Sequence, residues 1–157
     1  MSPRTVLVLL AAALGLLIWT AGAASAERTT FRCRTSATRP VAGNQTFNLG
    51  NRRIAVALPK RATFVAVPEG QPGWAWVQAN GWISTKIGWW TKRGTPHVVG
   101  RRIDGLALPL RVDMGRRTYA NVAFYPSILH FPSAGCWRIT ATASSATLVA
   151  IVKVVKR

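Results

Sequence analysis

The feature that most limits what this chain can fold into lies near its C-terminus, where Thr147 to Val155 reads TLVAIVKVV. The run is dense in β-branched residues and shows no 3.6-residue periodicity, so it reads as a strand. It follows Cys136 to Thr142 after a four-residue polar break, Ala143 to Ala146, and two strands joined by a short loop is the economical reading. Alternation with period two puts Trp137, Ile139 and Ala141 on one face of the first strand, and Cys136, Arg138, Thr140 and Thr142 on the other. The second strand is apolar on both faces until Lys153, so it must be interior or covered. A closing pair of this kind predicts a β-sandwich or barrel.

Upstream, short strands are expected at Arg53–Leu58, Thr63–Val67, Trp74–Ala79, Trp82–Trp90, His97–Ile103, Leu106–Val112 and Tyr119–Tyr125, with Ile128–Phe131 leading into the closing pair. No amphipathic helix interrupts them. Asn80-Gly81 predicts a two-residue type I′ hairpin, because both turn positions need positive φ. That register sets Ala79 opposite Trp82, Val77 opposite Ser84 and Ala75 opposite Lys86. Trp74, Trp76, Gln78, Ile83, Thr85, Ile87 and Trp89 then form the core face, and Trp82, Lys86 and Trp90 point outward.

The first 26 residues have one basic residue, Arg4, an apolar run and a small-residue end, Ala24-Ser25-Ala26. This is the layout of a secretory signal peptide cleaved after Ala26, with an uncleaved membrane anchor as the competing reading. Residues 27–50 read as an irregular arm, and residues 51–157 as the β-domain. Secreted or extracytoplasmic localisation at the cell surface is expected. Cys33 and Cys136 are the only cysteines, and an even count in an exported chain suggests one bridge, with two free thiols as the alternative. Loss of the leader lowers the formal charge of +17 by one, still a large basic excess that attracts anions.

Three stretches, Lys86–Gly94 (KIGWWTKRG), Gly100–Val112 (GRRIDGLALPLRV) and Phe131–Ala143 (FPSAGCWRITATA), carry a resemblance. The C-terminal half resembles a group of uncharacterised exported bacterial proteins with an immunoglobulin-like sandwich. The resemblance implies an all-β, immunoglobulin-like antiparallel β-sandwich and export, and brings no functional residues with it.

The chemistry needed for catalysis is sparse. Beyond the leader the acids are Glu27, Glu69, Asp104 and Asp113 and the histidines are His97 and His130, read as strand-edge residues; no G-x-S-x-G, H-E-x-x-H or Gly-rich phosphate loop occurs. Asp104 and Asp113 each lie two residues from an arginine, Arg102 and Arg111, which makes ion pairing their expected role. No metal or cofactor site is implied. Tryptophan is the surplus resource. Trp74, Trp76, Trp89 and Trp137 are expected in the core, whereas Trp82 and Trp90 form an outward stripe about 26 Å long with Lys86 between them. Arg101 and Arg102 follow on a strand that could adjoin it. A neighbouring strand or the arm could instead cover these tryptophans. The expected function is a non-enzymatic binding or structural module of the bacterial cell envelope. Its partner is an anionic envelope polymer or carbohydrate bound through Trp82, Lys86, Trp90, Arg101 and Arg102. Non-specific nucleic-acid binding is an alternative, and a hydrolase assembled in space is another.

Overall fold

Among the described residues, alternating side chains become ten strands: β1 Leu49–Gly50, β2 Ile54–Val56, β3 Thr63–Pro68, β4 Ala75–Val77, β5 Ile83–Thr91, β6 His97–Arg102, β7 Arg111–Met114, β8 Phe124–Phe131, β9 Gly135–Ala143 and β10 Ala146–Lys156. The structure, a computed structural model, describes residues 31–43, 46–117 and 123–157. The expected leader and its cleavage point lie outside the described residues, as does the start of the strand expected at Tyr119. Among the described residues only a 3-10 turn, Lys60–Ala62, interrupts the strands, and no helix is long and apolar enough to cross a membrane.

Strand β5 organises one half of the sheet. β8 pairs along one edge and carries β7 beyond it, while β4 and β2 lie end to end along the other edge. In the other half β10 joins β9 in an antiparallel hairpin, and β6 pairs with β9. β3 connects the halves, running parallel to both β4 and β10. The two halves share one core: the Phe131 ring of β8 lies 5.3 Å from Trp137 of β9, edge-on, and 6.0 Å from Phe64 of β3. Trp89, Leu129, Ile139, Val152 and Val154 fill the remaining space. Each such fully buried side chain contributes about 1.5–3 kcal/mol. The first strand of the closing pair behaves as its alternation predicts, whereas β10, expected to be interior or covered, leaves Val149 exposed on its outer face. Trp137, Ile139 and Ala141 are buried and Arg138 is exposed.

The Asn80-Gly81 hairpin is in a different frame from the expected one. Gly81 N donates to Gln78 O and Gln78 N to Trp82 O, both at 2.8 Å, so the loop is Ala79-Asn80-Gly81. Gly81, at φ +81, supplies the left-handed residue that ends a three-residue loop, and Asn80 Oδ1 accepts from Trp82 N at 3.0 Å. The ladder therefore pairs Val77 with Ile83, Trp76 with Ser84 and Ala75 with Thr85. A slip of one residue turns every β4 side chain over. Ala75 is buried, Trp76 lies on the outer face, and Trp74 is 57% exposed, so neither tryptophan belongs to the core. Trp89 and Trp137 do.

Two further expectations are corrected. The strand expected at Leu106–Val112 forms only at Arg111–Met114, leaving Leu106 and Leu108 exposed, since Pro109 interrupts the ladder and only Leu110 N reaches across, to Gly100 O. The segments expected as Tyr119–Tyr125 and Ile128–Phe131 meet in one strand, β8, that runs through Pro126. Pro126 lies just past the last β7 pair, Met114 with Ser127, where a missing N–H forfeits least.

The arm is more than a tether. Ser36 N donates to Ile151 O and Ile151 N to Ser36 Oγ, each at 2.9 Å, which continues the β10 edge beyond the reach of β3. Asn48 exchanges two side-chain bonds with the Leu58 backbone, at 2.7 and 2.9 Å, in imitation of a strand pair. Val41 and Phe47 bury themselves with Ala55 in a second, smaller core on the outer side of β2.

Candidate functional site

The residues singled out from the sequence divide into separate groups. Lys86 is exposed on the outer face of β5, as its alternation requires. Trp90 shares that face but is half-buried, packed with Phe124 against Val41, Phe47 and Ala55. The arm covers it. Trp82 is half-buried beside the hairpin. Arg101 and Arg102 stand on β6, whose ladder partner is β9, so they do not adjoin β5. Arg102 is also occupied: its Nε lies 2.6 Å from Asp104 Oδ1 and its Nη1 3.4 Å from Ser133 Oγ. Burial pushes the Asp104 carboxyl up, but the Arg102 hydrogen bond, backbone donation from Cys136 and the Arg102 charge outweigh it and hold the group below its ordinary value. The continuous basic, Trp-bearing stripe is therefore not assembled.

A different site occupies the outer face of β7, β8, β5 and β4. Trp74, half turned into solvent, stands at the edge of a groove of about 650 Å³ floored by Gly88 and Ile128 and walled by Met114, Phe124 and Pro126. The Phe124 ring lies over Gly88, where any Cβ would strike it. Buried Thr85 donates to the Trp74 carbonyl, which fixes the tryptophan backbone from the core side. The groove continues, across Lys86 and Ile128, into a more polar depression of about 310 Å³ bordered by Glu69, Trp76, Gln78, Ser84 and His130. Trp76 is steadied by donation from Nε1 to Gln71 O at 2.8 Å.

A hydrogen-bonded chain crosses the sheet at this point. Ser84 and His130 are direct partners between β5 and β8, and Asp113 lies diagonally opposite on β7. Ser84 Oγ and His130 Nδ1 are 2.8 Å apart, and His130 Nε2 and Asp113 Oδ2 are 2.9 Å apart. An ionised carboxylate only accepts, so Nε2 carries the hydrogen and Nδ1 of a neutral ring accepts from the Ser84 hydroxyl. His130 is thus an interior member of the sheet and not an edge residue, with Arg111 paired across from it and also 3.7 Å from Asp113. The expected ion-pair roles of Asp104 and Asp113 are both observed. Sequence reasoning missed Trp74, Ser84 and the His130 pairing. The Ser84–His130 contact spans 46 residues and depends on which strands become neighbours, so no local pattern announces it.

Chemically, the face offers an exposed indole for stacking, an apolar trough, the ammonium of Lys86 and a row of hydrogen-bonding groups. Within the apolar groove Lys86 is balanced by Asp113, and the polar depression adds Glu69. Comparison with known proteins returns no match, whether to a family model, a curated protein or a solved structure.

Proposed function

We propose that this chain is an extracytoplasmic, non-enzymatic binding module of the bacterial cell envelope, with an immunoglobulin-like sandwich fold, that takes a carbohydrate chain in the groove beneath Trp74. The strand order supports the fold: β2-β5-β8-β7 on one side, β3-β10-β9-β6 on the other, with the early strand β3 parallel to the last. The Cys33–Cys136 bridge supports an oxidising compartment. The observation that carries the ligand class is Trp74, an indole left 57% exposed beside an apolar trough whose polar groups nearly cancel in charge. A pyranose ring presents an apolar face and a polar rim, which is what this combination accommodates.

Tryptophan fluorescence titration with a panel of neutral and anionic oligosaccharides tests this reading. Trp74→Ala is expected to weaken binding by about 1–2 kcal/mol, roughly tenfold, with the unfolding midpoint nearly unchanged. Affinity for the groove ligand should change little between low and physiological salt. A steep loss with salt would instead favour the anionic-polymer or nucleic-acid reading.

A second reading, a serine hydrolase, is favoured by one observation, the Ser84–His130–Asp113 chain. In it Ser84 Oγ attacks an ester carbonyl while His130 Nδ1 takes its proton. Against it, the β5 backbone around Ser84 is engaged in ladders with β4 and β8, which leaves Lys86 as the nearby donor for a developing oxyanion. Treatment with a fluorophosphonate probe separates the readings. No labelling is expected from a binding module, whereas labelling that Ser84→Ala removes would establish the hydrolase.

A further inference from the structure

Positive charge without a partner collects at the end of the fold where β2 begins, β5 ends and β9 turns into β10. Arg53, Lys92 and Arg93 line a cleft of about 320 Å³ together with Ser144 and Ser145. The backbone enforces this convergence. Lys92 N donates to Arg53 O at 2.8 Å, and Thr91 Oγ1 donates to Gly94 O at 2.6 Å, which closes the loop after β5. Gly94, at φ +75, brings that loop alongside the Ser144 backbone. No acidic residue lines the cleft, and among the described residues none of its three cations forms an ion pair. Asp104 and Asp113 are committed elsewhere, to Arg102, Arg111 and His130.

Gathering three cations on adjacent loops works against the fold through their mutual repulsion. A second cost is present at the same place. Ser144 has φ +52, a region that glycine occupies freely and other residues only under strain, yet a hydroxyl-bearing side chain is kept there. An anion in the cleft offsets the repulsion, whereas the φ of Ser144 is set by the two-residue turn that joins β9 to β10.

We propose that this cleft binds a phosphate group, whether as the free ion or as a phosphate ester. Two guanidinium forks match a tetrahedral oxyanion in paired hydrogen bonds, the Lys92 ammonium adds a point charge, and the two serine hydroxyls donate to the remaining oxygens. The site is separate from the groove, about six residues further along the chain from Lys86, and does not depend on the groove's ligand.

The test is a calorimetric titration of the full chain at physiological salt with inorganic phosphate and, separately, with glycerol 3-phosphate. Saturable one-to-one binding is expected. Arg53→Gln and Arg93→Gln are each expected to weaken it about tenfold, with unchanged circular dichroism. Lys153→Gln removes the same charge from an exposed position on β10, about 23 Å along the strand from Ala146, and should change affinity less than twofold. Tighter binding of glycerol 3-phosphate identifies an esterified phosphate as the natural source, and tighter binding of inorganic phosphate identifies the free ion; either result supports the site. Absence of saturable binding for both probes overturns it. So does a loss in Lys153→Gln as large as in the two arginine variants, since that would be the effect of net charge alone.

Discussion

Trp89→Ala is expected to destabilise the fold by about 3–5 kcal/mol, the cost of truncating a large aromatic in a core that cannot collapse around the vacancy. Trp89 is 1% exposed and sits among the inward side chains of both halves of the sheet. Its Nε1 donates to Ser127 Oγ at 2.8 Å, and Ser127 is itself buried, so truncation also strands a hydroxyl that water cannot reach. Urea denaturation should show the midpoint falling while the slope is preserved. Trp74→Ala provides the contrast, since its side chain stands largely in solvent and its removal should stay within about 0.5 kcal/mol. Similar losses in the two variants would mean that the face assignment of β4 or β5 is wrong.

The contrast between these two tryptophans also marks where sequence reasoning reaches its limit. For β5 and β9, alternation separates inward from outward residues, because those strands are long and their inward faces are mostly apolar, whereas β10 is apolar on both faces and its facing is not readable in that way. Trp137, Ile139 and Ala141 are recognisable for that reason, as are Trp89 and Ile83. For β4 the pattern is three residues long and flanked by bulky apolar groups on both parities. Its facing therefore hangs on the turn, and Asn-Gly serves two hairpin frames. In a two-residue loop both residues occupy the centre; in the three-residue loop observed, Gly81 moves to the end and Asn80 caps Trp82. One residue of slip exchanges Ala75 for Trp74 and Trp76 at the core.

The site was less legible than the fold, and for a different reason. Lys86 could be placed on the outer face, but what surrounds it comes from β4, β7 and β8, and pairing among them is decided by the whole fold. The Ser84–His130–Asp113 chain joins three strands through the β5–β8 and β7–β8 registers. The cleft between Arg53, Lys92 and Ser144 likewise brings together three turns distant in sequence. Trp90 illustrates the converse. Its outward direction is correct, yet the arm, which reads as irregular from its polar, Arg- and Thr-rich composition and its Pro40 and Gly43, folds over it.

That cover gives the second large effect. Replacing both Cys33 and Cys136 by alanine is expected to cost about 2–5 kcal/mol. The bridge joins Cα atoms 5.6 Å apart across 103 positions, and on the chain-entropy account closing a loop of about 100 residues is worth up to about 4.7 kcal/mol. Cys136 is buried at the head of β9, so alanine is the replacement that leaves no unsatisfied hydroxyl there. Part of the loss is returned by contacts that do not need the bridge: the Ser36–Ile151 pair of hydrogen bonds, the Asn48–Leu58 pair, and the Val41–Phe47–Ala55 cluster. The variant should therefore remain folded in water, with its β-sheet circular dichroism intact and a lower urea midpoint. Wild-type protein in the presence of a reductant should approach the same midpoint. The arm should loosen first, since the bridge is its covalent tie to β9, and Trp90 should then meet water, read as a red shift in emission that a Trp90→Phe background lacks. A loss below about 1 kcal/mol would show that the arm's hydrogen bonds and its small core, rather than the covalent link, hold it against β2, β5 and β10.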